Sequence, residues 1–392
     1  MVNKKVYLDN STTTRMDPLV LEEMLPFLQE DWGSTDQTHW LGRQAKKAVD
    51  CARERIAHLL GIREEELIFT SGGTEANNLA ILGVARAYRH RGNHIITSKV
   101  EHPSVLLACK ALELEDFQVT YLPVTQEGLV EPVELEAAMQ DKTILVSIIY
   151  AEAETGAVQP IHELSRIARS RGVLFHTDAS LAVGKLKVSL AGSAIDLLSL
   201  SAHKFHGPKG VGALFVRSGT RLRPILFGVP EAAFLRPGTE NIAAIVGLAR
   251  ALELAIERMP YDMPRIAALR DMLYEGITAV TEVSRNGPTG NRLHGCLNLR
   301  FHGLPGESLL YSLDLLGVAL GAGNPCVSGA IEPSYVLLAQ GLSPEEARSS
   351  LRFFLARENS QDEISYVVEQ LARVVQRLKL ASLSGCSNDP RH

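Results

Sequence analysis

Short runs of apolar residues, each bounded by Gly, Pro or polar clusters, recur along the first half of the chain. They fall at residues 67–70, 94–97, 119–122, 144–150, 173–177, 197–200 and 212–216. Such short apolar runs, bounded by turn residues, predict strands buried on both faces. Between them apolar positions recur at helical spacing, over 75–89, 103–112, 132–139 and 161–171. Strands alternating with helices predict a mostly parallel seven-stranded sheet flanked by helices, the α/β class. Ligands of such sheets bind beyond the carboxyl ends of the strands.

The rhythm changes near residue 241. Helical patterns over 242–258 and 263–280 precede a strand at 296–301, a helix at 307–316, a strand at 351–355 and an amphipathic helix at 363–380. This predicts a smaller α+β domain, and the first apolar run, 6–9, is expected to pair out of chain order. The expected division is a large domain over residues 15–258 and a small one made of 1–14 and 259–392.

Composition narrows the classes. The 392 residues are 45% hydrophobic and 22% charged, with a formal charge of −5 and a pI near 6.2. That balance gives no electrostatic case for direct nucleic-acid binding. No apolar run approaches a membrane span, and Met1-Val2-Asn3-Lys4-Lys5 leads straight into a strand with no signal-peptide pattern. The five cysteines, Cys51, Cys109, Cys296, Cys326 and Cys386, are odd in number and lack CxxC spacing. This argues against a disulfide framework and against a zinc or other metal site, and predicts a reducing, cytoplasmic setting.

Candidate chemistry collects at strand ends. Leu200-Ser201-Ala202-His203-Lys204 closes one apolar run and breaks into Gly207-Pro208-Lys209-Gly210, a layout that presents an amine beside hydroxyl and imidazole groups. Ser71-Gly72-Gly73-Thr74 joins a strand to a helix; glycines permit close backbone approach, and the helix start offers free N–H groups to an anion. Glu101-His102-Pro103-Ser104 sets an imidazole at the same rim, able to stack on a flat ring. His176-Thr177-Asp178-Ala179-Ser180 ends another strand in a carboxylate that can pair with a ring nitrogen. Each signal alone is ordinary: a solvated lysine, a capped turn, a turn histidine, a helix cap. Together they describe a pyridoxal-phosphate pocket.

On these residues the chain resembles a cysteine desulfurase of the NifS/IscS type, within the class V aminotransferase superfamily and its fold type I. The resemblance runs from Tyr7-Leu8-Asp9-Asn10 through the motifs above to Arg236-Pro237-Gly238-Thr239-Glu240-Asn241 and Glu332-Pro333-Ser334-Tyr335. It implies that Lys204 is the Schiff-base lysine, that His102 stacks on the cofactor ring and assists proton transfer, and that Asp178 holds the ring nitrogen. Gly73, Thr74, Ser201 and His203 would bind the phosphate, joined by Thr239 from the second subunit of a homodimer. Arg352 would take the substrate carboxylate. Cys326, in a Gly-rich segment, would be the nucleophile that receives sulfur from L-cysteine as a persulfide and hands it to an acceptor protein, such as an iron–sulfur scaffold or a thiolation enzyme.

The pattern departs from the resemblance in places. Glu152 and Ala153 stand where the family has two asparagines, and Leu181 where it has a glutamine. Two polar contacts on the oxygen side of the cofactor are therefore lost. Residues 33–39 and 228–234 depart too, and Asn324-Pro325 precedes the cysteine, where Pro325 fixes φ. The leading expectation is a divergent desulfurase. Its rivals are another pyridoxal-phosphate lyase or transferase, such as a selenocysteine lyase, and a weakened homologue acting as a scaffold.

Overall fold

The computed structural model describes residues 4–228, 235–321, 324–325 and 331–385. Strand β1 (Val6–Leu8) is followed by helices α1 (Pro18–Gln29) and α2 (Trp40–Leu60). The central sheet comprises β2 (Leu67–Thr70), β3 (His94–Ser98), β4 (Gln118–Leu122), β5 (Thr143–Ser147), β6 (Leu174–Asp178), β7 (Leu197–Ser201) and β8 (Gly212–Val216). Helices α3 (Gly73–Tyr88), α4 (Pro103–Glu113), α5 (Pro132–Ala138) and α6 (Ile161–Ser170) connect strands. The seven strands lie in the order β2-β8-β7-β6-β5-β3-β4. Only β8 runs against its neighbours, antiparallel to both β2 and β7.

The continuous apolar runs are explained by the two layers they serve. Ile96, Val146, Phe175 and Leu198 face a core shared with Val49 and Ile56 of α2 and Leu164 of α6. Their neighbours Ile95, Leu145 and Leu197 face the opposite core, with Leu79 of α3 and Val105 and Leu112 of α4. A strand sandwiched between helical layers has no solvent face, so polar alternation disappears.

Helix α7 (Ile242–Val280) is a single element of 39 residues. The two separate helices expected there, 242–258 and 263–280, are thus one, continuing through Pro260 and Pro264. Its ends are held by different cores: Leu248 and Leu252 pack with the sheet, Leu269, Leu273 and Ile277 with the second core. Burial at both ends outweighs the backbone bonds that proline removes. The second core gathers β9 (Val283–Asn286), β10 (Cys296–Phe301), helix α8 (Gly306–Asp314) and β11 (Val318–Leu320). The two-residue strands β12 (Asn324–Pro325) and β13 (Ile331–Glu332) pair antiparallel. Helices α9 (Tyr335–Ala339) and α10 (Pro344–Arg348), strand β14 (Ser350–Phe354) and helix α11 (Gln361–Gly385) complete the chain. As expected, β1 pairs out of order, parallel to β11. Among the described residues no helix is long and apolar enough to cross a membrane.

Candidate active site

The carboxyl ends of β2, β3, β6 and β7 meet at one rim, and the turns that follow them carry the chemistry. Lys204 sits in the short 3-10 turn directly after β7. Its Nζ donates to the carbonyls of Ser11 at 2.6 Å and Thr12 at 2.8 Å. Burial is the main cause that brings its pKa down to about 8; Asp178 opposes the shift and Arg352 adds to it. A second lysine, Lys185, is half-buried beside it, donates to the Lys204 carbonyl, and is pushed down to about 7 by desolvation and by Lys204.

The segment Ser11-Thr12-Thr13-Thr14 straps the lysine turn in place. Thr14 N and Oγ1 both donate to the His203 carbonyl, at 3.0 and 2.9 Å. His203 Nδ1 lies 3.2 Å from Thr13 Oγ1. Burial and the neighbouring lysines push His203 down to about 4, so at neutral pH it offers hydrogen bonds rather than charge.

Asp178 ends β6 as a buried carboxylate. Asn77 Nδ2 donates to its Oδ2 at 2.7 Å, and Ser180 N to its Oδ1 at 2.9 Å. His102 caps α4 with its ring: Nδ1 accepts from Ser104 N at 3.1 Å. Burial lowers its pKa, with Asp178 opposing and Lys204 adding. Beside it the fully buried Glu101 accepts from Ser98 Oγ at 2.6 Å and Ile149 N at 2.9 Å, and burial lifts it to about 8.

The Gly72-Gly73-Thr74 turn fits an anion. Gly72 has φ 148°, which only glycine adopts freely. A Cβ on Gly73 would come 2.7 Å from Ser180 Oγ, and that hydroxyl is buried with no partner. An orphaned donor, the free N–H groups of the α3 start and Ser201 near Gly72 together form a cradle suited to an anion. Thr239 is not part of this cradle within one chain. It lines a separate cavity of about 70 Å³ with Ser71, Arg236 and Gly238. Arg236 ties that segment to the cradle helix through Glu75, at 3.1 Å.

Arg352 projects from β14 between two carboxylates, Asp9 Oδ1 at 3.0 Å and Glu154 Oε2 at 3.2 Å. Its Nε is buried without a partner. A Cβ on Gly321 would lie 2.6 Å from both that Nε and Asp9 Oδ1, so this approach demands glycine. Glu152 takes up the work of a turn cap. Its carboxylate accepts from Glu154 N at 2.6 Å and Thr155 N at 2.7 Å, which aims Glu154 at Arg352. Ala153 and Leu181 pack against the sheet core and offer no polar atom. Cys326 lies outside the described residues, between β12 and β13.

Sequence reading missed Asp9, Asn77, Ser104, Glu154, Ser180 and Lys185. Asn77 had one available signal: it lies three residues after Thr74, hence on the same face of α3.

The sheet order, with a desolvated lysine, a buried carboxylate and an anion cradle at its strand ends, defines the fold-type-I class of pyridoxal-phosphate enzymes. The aminotransferase class-V family model matches residues 6–367. A cysteine desulfurase IscS of Dictyoglomus turgidum is 44% identical over 382 residues, 97% of this chain and 97% of that protein. A solved NifS-like protein superposes with a TM-score of 0.91 at 34% identity, covering 96% of this chain and 100% of the other. A structure of SspA in complex with cysteine gives a TM-score of 0.81 at 34% identity, over 91% of this chain and 100% of the other. The chain belongs to the aminotransferase class-V family and, within it, to the cysteine desulfurases of the NifS/IscS type.

Proposed function

We propose that this chain holds pyridoxal phosphate on Lys204 and uses it to convert L-cysteine to L-alanine, passing sulfur through Cys326 to an acceptor protein. The observation that carries the reading is the meeting of Lys204, Asp178 and the Gly72-Gly73-Thr74 cradle at neighbouring strand ends. Thr74, Ser180, Ser201 and His203 would hold the phosphate, Asp178 the ring nitrogen, and His102 the ring face. When bound, the cofactor supplies an electron sink for the substrate carbons.

Around it the chain's own groups divide the work. Arg352, held in place between Asp9 and Glu154, takes the substrate carboxylate. Lys204, brought to about pH 8, is neutral often enough near physiological pH to accept a proton and give it back. The Cys326 thiolate attacks the substrate sulfur: an S–S bond forms, the C–S bond breaks, and the electron pair stays with the carbon that becomes the alanine methyl group. The acceptor then takes the outer sulfur from Cys326. Thr239 completes the phosphate site from a second copy of the chain, making the working unit a homodimer. A reducing, cytoplasmic setting suits this thiol chemistry, and Cys51, Cys109 and Cys296 are free. We place the domain boundary within α7, with residues 15–258 as the cofactor domain and 1–14 plus 259–392 as the small one.

The test is L-cysteine turnover with alanine quantified and persulfide trapped on the protein, in wild type and Cys326→Ala. Alanine and a Cys326-dependent persulfide are expected. Equal turnover by Cys326→Ala would sink the persulfide step, and a chain that ignores added cofactor would favour a scaffold. Preference for selenocysteine over cysteine would move the activity to a selenocysteine lyase.

A further inference from the structure

His102 does not stand alone at the rim. Its Nδ1 accepts from the backbone N–H of Ser104 at 3.1 Å and lies 2.8 Å from the Ser104 hydroxyl. That hydroxyl oxygen accepts from Asn77 Nδ2 at 2.9 Å. The same Asn77 nitrogen donates to Asp178 Oδ2 at 2.7 Å. Both hydrogens of the amide are thus used, one on a hydroxyl and one on a carboxylate.

The direction of every bond in this chain follows. Turning the amide over would set Asn77 Oδ1 against the Asp178 carboxylate, two acceptors face to face, so the NH₂ group points at Asp178. The Ser104 backbone N–H is aimed at His102 Nδ1, which makes that nitrogen the acceptor, so the Ser104 hydroxyl, itself accepting from Asn77, gives it its own hydrogen. A ring nitrogen that receives two donors carries no proton. The neutral ring therefore holds its proton on Nε2. Making the imidazolium would place an Nδ1–H against the Ser104 N–H and break the cap of α4. Asp178 and Lys204 pull the ring in opposite directions, and desolvation lowers its pKa although part of the ring is exposed at the rim.

We propose that Asn77 and Ser104 are positioning residues that lock His102 in its Nε2–H form, so that His102 acts as a hydrogen-bond donor and ring platform while Lys204 carries the substrate proton. A neutral imidazole with hydrogen on Nε2 has no basic atom to offer there; its only lone pair is at Nδ1, turned into the helix. The second half of this statement rests on the cofactor reading above; the tautomer lock does not.

The experiment is nitrogen NMR on ¹⁵N-histidine-labelled protein without cofactor, with the His102 signals assigned by their loss in His102→Gln. Wild type is expected to show an unprotonated Nδ1 and a protonated Nε2. Ser104→Ala removes one of the two donors and should shift the ring toward a tautomer mixture and raise its titration midpoint, and Ser104→Thr should restore the wild-type pattern. Asn77→Ala, which leaves the helix cap intact, should move the same signals less. A protonated Nδ1 in wild type overturns the proposal, and that spectrum decides alone if a variant fails to fold. An unchanged tautomer and midpoint in a folded Ser104→Ala overturns it as well. Failure of the protein to capture pyridoxal phosphate would leave these spectra untouched and strike only the cofactor reading.

Discussion

Glu154 Oε2 accepts from Arg352 Nη1 at 3.2 Å, joining the loop after β5 to a strand of the second core. Glu154 is itself hydrogen-bonded by Asn298 Nδ2, at 3.0 Å to Oε1. The pair therefore sets the orientation of the arginine before any substrate arrives.

Replacing that arginine tests its geometry. Arg352→Lys keeps the charge and loses the planar fork, so KM for L-cysteine should rise by roughly tenfold or more while kcat falls less. Steady-state kinetics with alanine as the readout checks this. Glu154→Leu leaves a buried guanidinium short of one partner and should destabilise the fold by about 3 kcal/mol in a denaturant titration.

The lysine predicts a pH window. Its folded value, about 8, lies below the ordinary 10.5, so between those values the unfolded chain binds more protons than the folded one. Stability contributed by this group therefore rises with pH across that window and is penalised below it. Capture of pyridoxal phosphate needs the neutral amine. Its rate, followed by visible absorbance, should climb about tenfold per pH unit up to near 8 and then level. A climb continuing to pH 10 would show that the lysine is not desolvated.

The apolar side of the site can be refilled. Ala153→Asn would return a donor where the cofactor's ring oxygen is expected, and a hydrogen bond to a charged oxygen is worth roughly 1.5–3 kcal/mol. Cofactor should dissociate at least about tenfold less readily, with a shifted absorption maximum. Leu181→Gln should gain less, because Leu181 is buried in the sheet core and the amide must desolvate there.

Gly72→Ala tests the cradle. At φ 148° a side chain is strained, and the change should cost about 1–3 kcal/mol of stability and weaken binding of the phosphorylated cofactor more than that of pyridoxal. Thermal melts and paired titrations separate the two effects.

Much of this was readable from the chain because buried strands advertise themselves. β6 and β7 are short apolar runs ending in polar residues, a pattern that by itself sets Asp178 and Lys204 at a rim. Arg352 was reached by resemblance alone. Helices α1 and α2 were not read, and the unbroken course of α7 was hidden by Pro260 and Pro264, because local propensity cannot register two separate cores. Nor could Asn77 be joined to Asp178, which lies 101 residues away. A single polar residue in a helix has no periodic signature, and its partner is supplied by topology.

The carbonyls that hold Lys204 belong to Ser11 and Thr12, directly after a strand that pairs with β11 and an aspartate that binds Arg352. The strand that leads into them therefore cannot settle until a partner some three hundred residues further along the chain is in place. The amine's holder is thus tethered to the second core, so a change that loosens β11 should also release Lys204.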